Sequence, residues 1–110
     1  MSTGTVSRLY MLMVDELQKW PGARPPFHRG SCHLTIEGPL EHLHEFAIRL
    51  GLRREWFQNH RLAPHYDLTP AKRRLALTLG AQPIQAREQA RRRRAKSGLS
   101  LAERLREDAG

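Results

Sequence analysis

The side chains best suited to chemistry in this sequence are two aspartates and three histidines: Asp15, His33, His44, His65 and Asp67. Carboxylates and imidazoles that converge in space hold a divalent metal ion and activate water, as in a hydrolase or nuclease. Equally, His65 is placed to act as a general base that Asp67 orients. The spacing matches no sharp metal-binding motif, such as paired histidines on a helix, so both chemistries stay open.

Four members of this group, Asp15, His33, His65 and Asp67, are the catalytic candidates because of their predicted positions. Asp15 follows an apolar segment, and ligands of open α/β sheets bind beyond the carboxyl ends of the strands. His65 and Asp67 precede a helix start, where the helix dipole favours anions. The favoured alternative is structural: Asp67 only orients that helix, and His44 lies at the edge of an apolar stripe.

A second set of candidate pocket residues surrounds the aromatic positions: His44, Trp56, Phe57, Gln58 and Tyr66. Exposed aromatic rings beside arginines stack on the bases of single-stranded nucleic acid. Arg53 and Arg54 would supply the positive charge. The favoured alternative is that Trp56 and Phe57 fill the core, because the chain has few aromatic residues with which to build one.

The charge balance favours a negatively charged partner. The chain carries 19 lysines and arginines against 11 acidic residues, a formal net charge of +8. Such a surplus attracts nucleic acid or another polyanion. The candidate phosphate-binding residues lie on the second predicted helix and in the basic tail: Lys72, Arg73, Arg91, Arg92, Arg93, Arg94 and Lys96. A run of this kind contacts phosphates without reading sequence, and the alternative is a solvated face that aids solubility.

Three strands are expected to position these residues. Residues 8–14 form an apolar run after Arg8, typical of a strand covered on both faces, as in a parallel sheet. A helix running on through residue 18 is the alternative. Residues 31–37 alternate between apolar and polar side chains, which predicts a strand. Residues 81–84 predict a short strand whose proline suits an edge position.

Two helices are expected, at residues 39–50 and 70–79, each ended by a glycine. The first begins at a proline and carries an apolar stripe. The second begins after Thr69, a hydroxyl cap followed by proline. Residues 53–58 predict a short helical turn, and residues 59–67 predict a loop.

The chain is therefore expected to be one α/β or α+β domain, a small sheet of about three strands with two or three packed helices and an arginine-rich helical tail. Residues 1–7 would be a flexible N-terminus, 8–86 the domain, and 87–110 the basic tail, which includes a capping box at Ser100. The lone Cys32 excludes an internal disulfide and fits a reducing compartment. No apolar run approaches the roughly 18 residues of a membrane span, so a cytoplasmic location is expected.

Short motifs also carry a resemblance, and the most specific are Trp56-Phe57-Gln58, His65-Tyr66-Asp67 and Lys72-Arg73. With their surroundings, over roughly residues 9–88, they resemble domain-of-unknown-function family 4031, small proteins of bacteria and their phages. The resemblance implies an aspartate pair after the first strand, where this chain has Glu16 as the second member. It implies no activity, and it leaves the arginine-rich tail outside the family pattern.

Three functions follow as hypotheses. The leading one is a non-enzymatic accessory protein that binds nucleic acid or phosphate, with most of the affinity supplied by the arginine tail. The second is a hydrolase that cleaves a phosphodiester with a divalent metal held by the aspartate and histidine cluster. The third is an adaptor whose amphipathic segment at residues 99–105 docks on a host protein.

Overall fold

The computed structural model describes residues 10–95, and the predictions for residues 1–7, for Lys96 and for the segment around Ser100 lie outside them. In chain order the elements are strand β1 (Met11–Val14), strand β2 (Cys32–Glu37), helix α1 (Leu40–Arg49), a 3₁₀ turn (Arg54–Trp56), strand β3 (Tyr66–Leu68), helix α2 (Pro70–Thr78) and strand β4 (Gln82–Pro83). A third helix, α3, occupies residues 86–95. The predicted α+β class is confirmed, with one strand more than expected. None of these helices has both the length and the apolar character needed to cross a membrane.

The sheet is mixed, with strand order β3-β2-β1-β4. β1 pairs antiparallel with β2 and parallel with β4, while β2 pairs antiparallel with β3. Met13 and Val14 are both buried, so β1 is covered on both faces as predicted. The apolar run of β1 also predicts a parallel sheet. That prediction is wrong for the β1–β2 pair, which is antiparallel. Pro83 lies in the edge strand, as predicted, because proline lacks the N–H donor that an inner strand needs.

The additional strand is β3, and the prediction of a loop at residues 59–67 is wrong for its last two residues. Tyr66 and Leu68 are buried and Asp67 is half-buried, so the strand alternates as a half-covered strand should. Three residues are too few to show this period in a sequence, especially beside Pro64. Backbone hydrogen bonds between Gln58 and His65 extend the strand pairing on its outer side.

The hydrophobic core lies between one face of the sheet and helices α1 and α2. Cys32, Leu34, Tyr66 and Leu68 supply the sheet side. The predicted apolar stripe of α1 supplies most of the other side, namely Leu43, Phe46, Ala47 and Leu50. Burial of each leucine stabilises the fold by about 1.5–3 kcal/mol relative to an exposed position.

Helix α1 ends at a glycine, as its sequence predicts. Gly51 has a φ of +85°, in the left-handed region that only glycine enters without strain. The N–H of Gly51 donates to the carbonyl of Ile48, and the N–H of Leu52 donates to the carbonyl of Ala47. These two bonds form a Schellman motif, which satisfies carbonyls that the helix end would otherwise leave unpaired.

Helix α3 contacts the second face of the sheet through polar side chains. Gln89 of α3 is buried and donates to the hydroxyl of Thr35 on β2. Arg92 forms two hydrogen bonds with Glu37, at 2.7 and 2.6 Å. Because these contacts are polar, the helix needs no apolar stripe, and periodicity in the sequence does not reveal that the basic segment packs on the sheet.

Replacement of Thr69 by alanine tests the predicted cap of α2. The Thr69 hydroxyl accepts a hydrogen bond from the Lys72 backbone N–H at 3.2 Å. We expect Thr69→Ala to lower the free energy of unfolding by about 1 kcal/mol, because the N–H loses its partner. Thr78→Ala makes the same chemical change at an exposed position near the other end of α2, and we expect a change within about 0.5 kcal/mol. Urea denaturation measures both, and equal losses would contradict the assignment of the cap.

Candidate metal centre

The register of the sheet brings three of the predicted side chains together. His33 on β2 lies directly opposite Asp67 on β3. His65 precedes Asp67 by two residues and therefore points to the same side of the chain. The Asp67 Oδ1 atom lies 3.8 Å from His33 Nε2 and 3.5 Å from His65 Nε2. One donor atom from each of the three residues falls within 4.8 Å of the other two.

Asp15 fixes the imidazole of His33. Its Oδ1 accepts the backbone N–H of His33 at 2.6 Å, and its Oδ2 lies 2.8 Å from the ring Nδ1. A carboxylate at this distance holds a hydrogen on Nδ1, which leaves Nε2 to face Asp67. The hydrogen bond from Asp15 raises the pKa of His33, burial opposes that effect, and the charges of Asp15 and Asp67 add to it.

The other two members are oriented in the same way by neighbours outside the trio. The Nδ1 atom of His65 lies 2.8 Å from the carbonyl oxygen of Ala63. A carbonyl oxygen only accepts, so Nδ1 donates, and in the neutral ring the lone pair of Nε2 faces Asp67. The side-chain amide of Gln58 donates to Oδ2 of Asp67, which leaves Oδ1 directed at the two imidazoles.

Two imidazole nitrogens and one carboxylate oxygen form a donor set suited to a transition metal. Zinc in catalytic sites uses three such ligands and leaves a fourth position for water, with metal–ligand bonds of about 2.0–2.2 Å. In a tetrahedron of that size the donors lie about 3.3 Å apart. The two distances to Asp67, 3.5 and 3.8 Å, exceed this by a few tenths of an ångström. The two imidazole nitrogens lie within 4.8 Å of each other, so the three residues suit a metal ion once the imidazoles close around it.

The remaining predicted residues lie elsewhere or act indirectly. Asp15 is buried, and both of its carboxylate oxygens are used by His33, so it positions a ligand instead of being one. Nδ1 of His44 forms a hydrogen bond with the hydroxyl of Tyr66 at 2.9 Å. Because Tyr66 and Asp67 are adjacent in β3, their side chains point to opposite faces, and His44 belongs to the core face. Burial, followed by the charge of Arg54, lowers the pKa of His44.

The aromatic candidates divide between core and surface. Tyr66 is 1% exposed, so the prediction that it stacks on a base is wrong. Phe57 packs against the core, whereas Trp56 is 51% exposed. The interpretation that both of these rings fill the core is therefore right for Phe57 only. Cys32 is a core residue as predicted, and burial, together with the charge of Asp15, raises the pKa of its thiol to about 12.

Two of the basic candidates form hydrogen bonds with backbone carbonyls of neighbouring segments. Lys72 donates through Nζ to the carbonyl of Leu50, at the end of α1, at 2.5 Å. Arg73 donates through Nε to the carbonyl of Asp15 at 2.8 Å. Both cations tie α2 to neighbouring elements. Their contribution to phosphate binding stays a prediction.

The four consecutive arginines have different environments on α3. Arg91 is bonded to Glu88 and Arg92 to Glu37, so two of the charges are neutralised by the chain's own acids. Arg94 is exposed, while Arg93 is half-buried. As predicted from helical periodicity, one face of the helix does not hold all four.

The sequence analysis missed Thr35, His60 and Gln89 on the approach to the three donors, and it named Arg93 only as a phosphate contact of the basic tail. A cavity of about 180 Å³ beside them is lined by His33, Thr35, His60, Ala63, His65, Gln89 and Arg93. One feature of the sequence indicates this cavity. The polar side of the alternating segment 31–37 includes His33 and Thr35, which both line it. No local pattern along the chain pairs that side with the basic helix.

Comparison with known proteins identifies a family but no activity. The model of a family described as "Protein of unknown function (DUF4031)" matches residues 12–96, which confirms the resemblance. The match includes the arginine run, so the inference that this run lies outside the family pattern is wrong. No curated protein and no solved structure matches the chain.

Replacement of Asp15 by asparagine tests the pairing with His33. We expect Asp15→Asn to lower the pKa of His33, because the hydrogen bond from Asp15 is the main cause of its rise. Asp67→Asn removes a charge that contributes less, so the pKa should fall by a smaller amount. Nuclear magnetic resonance titration of the ring nitrogens, without added metal, measures both variants. A larger fall in Asp67→Asn would contradict the assignment.

The same pairing predicts how stability depends on pH in the metal-free protein. The folded-state pKa of His33 is above the unfolded value of about 6.5. The contact therefore stabilises the fold fully below that pH, and its contribution is lost as the pH rises through the folded-state pKa. This contribution should be absent from Asp15→Asn. Unfolding curves between pH 5 and 8 in the two proteins check the sign.

Proposed function

The chain belongs to the DUF4031 family of proteins of unknown function, and we propose that it is a metal-dependent hydrolase of phosphate esters whose divalent ion is held by His33, His65 and Asp67. The observation that carries the proposal is the convergence of three electron-rich atoms within 4.8 Å. Each of the three side chains is also oriented by a hydrogen bond on its other polar atom. Such outer partners are characteristic of metal ligands.

A cation between these atoms relieves a repulsion that the fold itself creates. In its neutral form, with the hydrogen on Nδ1, His65 presents the lone pair of Nε2 to a carboxylate oxygen at 3.5 Å. Either a proton or a metal ion must lie between such groups to make their approach favourable. The rise in the pKa of His33 shows that its surroundings favour positive charge. A divalent ion satisfies all three donors at once, whereas one proton satisfies only one pair.

Hydrolysis is the reaction that this arrangement supports best. A bound divalent metal lowers the pKa of water and stabilises negative charge on a phosphoryl oxygen. The water oxygen forms a bond to phosphorus while the bond from phosphorus to the leaving oxygen breaks. His60 lines the same cavity, with its ring centroid 6.2 Å from that of His65, and it accepts the proton lost by the water. The leaving oxygen takes a proton from solvent.

The choice of a phosphate ester depends on charge. The formal net charge of +8 favours a negatively charged substrate over a neutral one. Hydrolysis also needs no co-substrate other than water. Iron held by two histidines and one carboxylate activates oxygen in other proteins, so the identity of the ion is part of the test.

Calorimetric titration with Zn²⁺, Mn²⁺ and, without oxygen, Fe²⁺ tests the centre directly. We expect the wild-type protein to bind one Zn²⁺ or Mn²⁺ ion, and Asp67→Asn to lower that affinity at least about 100-fold, since loss of even an outer partner costs 10–100-fold. His28→Asn is the control because His28 is an exposed loop histidine. Hydrolysis of bis(p-nitrophenyl) phosphate should follow metal occupancy. Binding no tighter than millimolar, or a preference for Fe²⁺, would contradict the proposal.

Non-enzymatic binding of single-stranded nucleic acid is the second candidate, favoured by one exposed pair. Trp56 is 51% exposed, and the guanidinium of Arg53, which also pairs with Glu55 at 2.6 Å, lies 6.0 Å from its ring centroid. Aromatic rings beside arginine stack on bases without sequence preference. The docking segment of the third hypothesis, residues 99–105, lies outside the described part of the chain, and that hypothesis stays a prediction.

A pair of tryptophan variants tests the second candidate. We expect Trp56→Ala to weaken binding of an oligothymidylate about 5- to 150-fold, the range that stacking of one base supplies. Trp20 is also 51% exposed, so Trp20→Ala is a matched control that should bind as the wild type does. Fluorescence anisotropy at several salt concentrations measures both. Binding that is unaffected by either variant would contradict the stacking role.

A further inference from the structure

Helix α3 and the sheet enclose a groove made of two adjoining cavities. The first is the cavity of about 180 Å³ beside the three donors. The second has about 260 Å³. Both are lined by Thr35, Ala63, Gln89 and Arg93, so they meet at the buried contact between α3 and β2. Their sizes together fall at the small end of ligand pockets, which run from roughly 300 to 1,000 Å³.

Arg93 stands where the two cavities meet. Its Nε atom is buried and has no hydrogen-bond partner among residues 10–95. Arg91 and Arg92, the preceding residues, are both bonded to glutamates. A buried guanidinium donor without a partner costs free energy, which an arriving anion would recover. Guanidinium groups match phosphate oxygens in shape as well as charge.

The position of Arg93 links this anion site to the metal centre. It lines the same cavity as His33 and His65. A phosphate held by Arg93 therefore lies beside the three donors.

The second cavity offers an apolar surface next to the same arginine. Met13, Leu40 and Leu62 are among its lining residues. Leu40 is 37% exposed and Leu62 is 67% exposed, which is high for large apolar side chains that line a cavity. A flat apolar group in this cavity would remove their surface from water.

We propose that the groove binds a nucleotide, with its phosphate on Arg93 beside the metal ligands and its base against Met13, Leu40 and Leu62. The inference rests on the proposed function and deepens it by naming the substrate class. The nucleotide is either free or the 5′-terminal residue of a strand. The volume of the groove accommodates one nucleotide unit and not a duplex.

Calorimetry with adenosine 5′-monophosphate tests the groove, with and without Zn²⁺. We expect Arg93→Gln to weaken binding at least about tenfold, because charge-assisted hydrogen bonds to the phosphate are lost. Arg87→Gln is the matched control, since Arg87 is exposed on the same helix and its charge is screened; we expect less than about a twofold change. Thermal unfolding confirms that both variants fold, and chemical-shift changes at the Met13 methyl report where the base lies.

The outcomes separate this inference from the proposed function. Equal affinity in wild type and Arg93→Gln, or no binding by a wild type that holds a metal ion, overturns the groove and leaves the metal centre intact. Binding that depends on Arg93 in a protein without metal affinity or hydrolysis supports the groove and overturns the hydrolase. A 5′-phosphorylated hexanucleotide that binds more tightly than the mononucleotide identifies a strand end as the ligand. The reverse order identifies a free nucleotide, and both orders support the inference.

Discussion

The arrangement of the site depends on one buried carboxylate. Asp15 accepts hydrogen bonds from the backbone and the ring of His33, and its own carbonyl accepts one from Arg73 on α2. A buried charge is stable only when its lone pairs are satisfied in this way, and loss of a partner is costly. Asp15 therefore links β1, β2 and α2, and it directs Nε2 of His33 toward Asp67. Without it, the pairing of β2 with β3 would still bring His33 and Asp67 together, but the ring would be free to turn.

The next residue organises the opposite wall of the groove. Oε1 of Glu16 accepts the backbone N–H of Ala86 at 2.5 Å, at the start of α3. A carboxylate at a helix start satisfies an unpaired donor and complements the helix dipole. The family resemblance implies an aspartate at this position, and the longer side chain changes how far the cap reaches. Two adjacent acids thus hold the two sides of the groove, one the imidazole of His33 and the other the helix that carries Arg93.

Several of the chain's basic side chains form ion pairs or hydrogen bonds within the fold. Glu37 and Glu88 bind arginines of α3, while Lys72 and Arg73 bind backbone carbonyls. Ion pairs at such exposed positions contribute little to stability, typically below about 1 kcal/mol. The Glu37–Arg92 pair has a positional effect, since it joins α3 to β2, whereas the Glu88–Arg91 pair lies within α3. Within the described residues, this leaves Arg93 turned toward the cavities and Arg94 toward solvent.

The elements with a strong local signal are the ones that residue patterns alone predict correctly. The alternation at residues 31–37, the apolar stripe of α1 and the Thr69 cap each depend on neighbours along the chain, so they were predictable. The sequence also singled out Asp15, His33, His65 and Asp67 as polar residues suited to chemistry. The reasons were that Asp15 follows a strand, His33 lies on the polar side of one, and His65 and Asp67 precede a helix.

Long-range contacts explain why these four residues meet and which elements cover them. A three-residue strand has no detectable period, yet its register sets Asp67 against His33. His44 was grouped with them by residue type alone, and the opposite face of β3 excludes it. The packing of α3 depends on polar pairs between residues more than fifty positions apart, such as Thr35 with Gln89 and Glu37 with Arg92. Pairs of this kind leave no local pattern, because their energy comes from groups that only folding brings into contact.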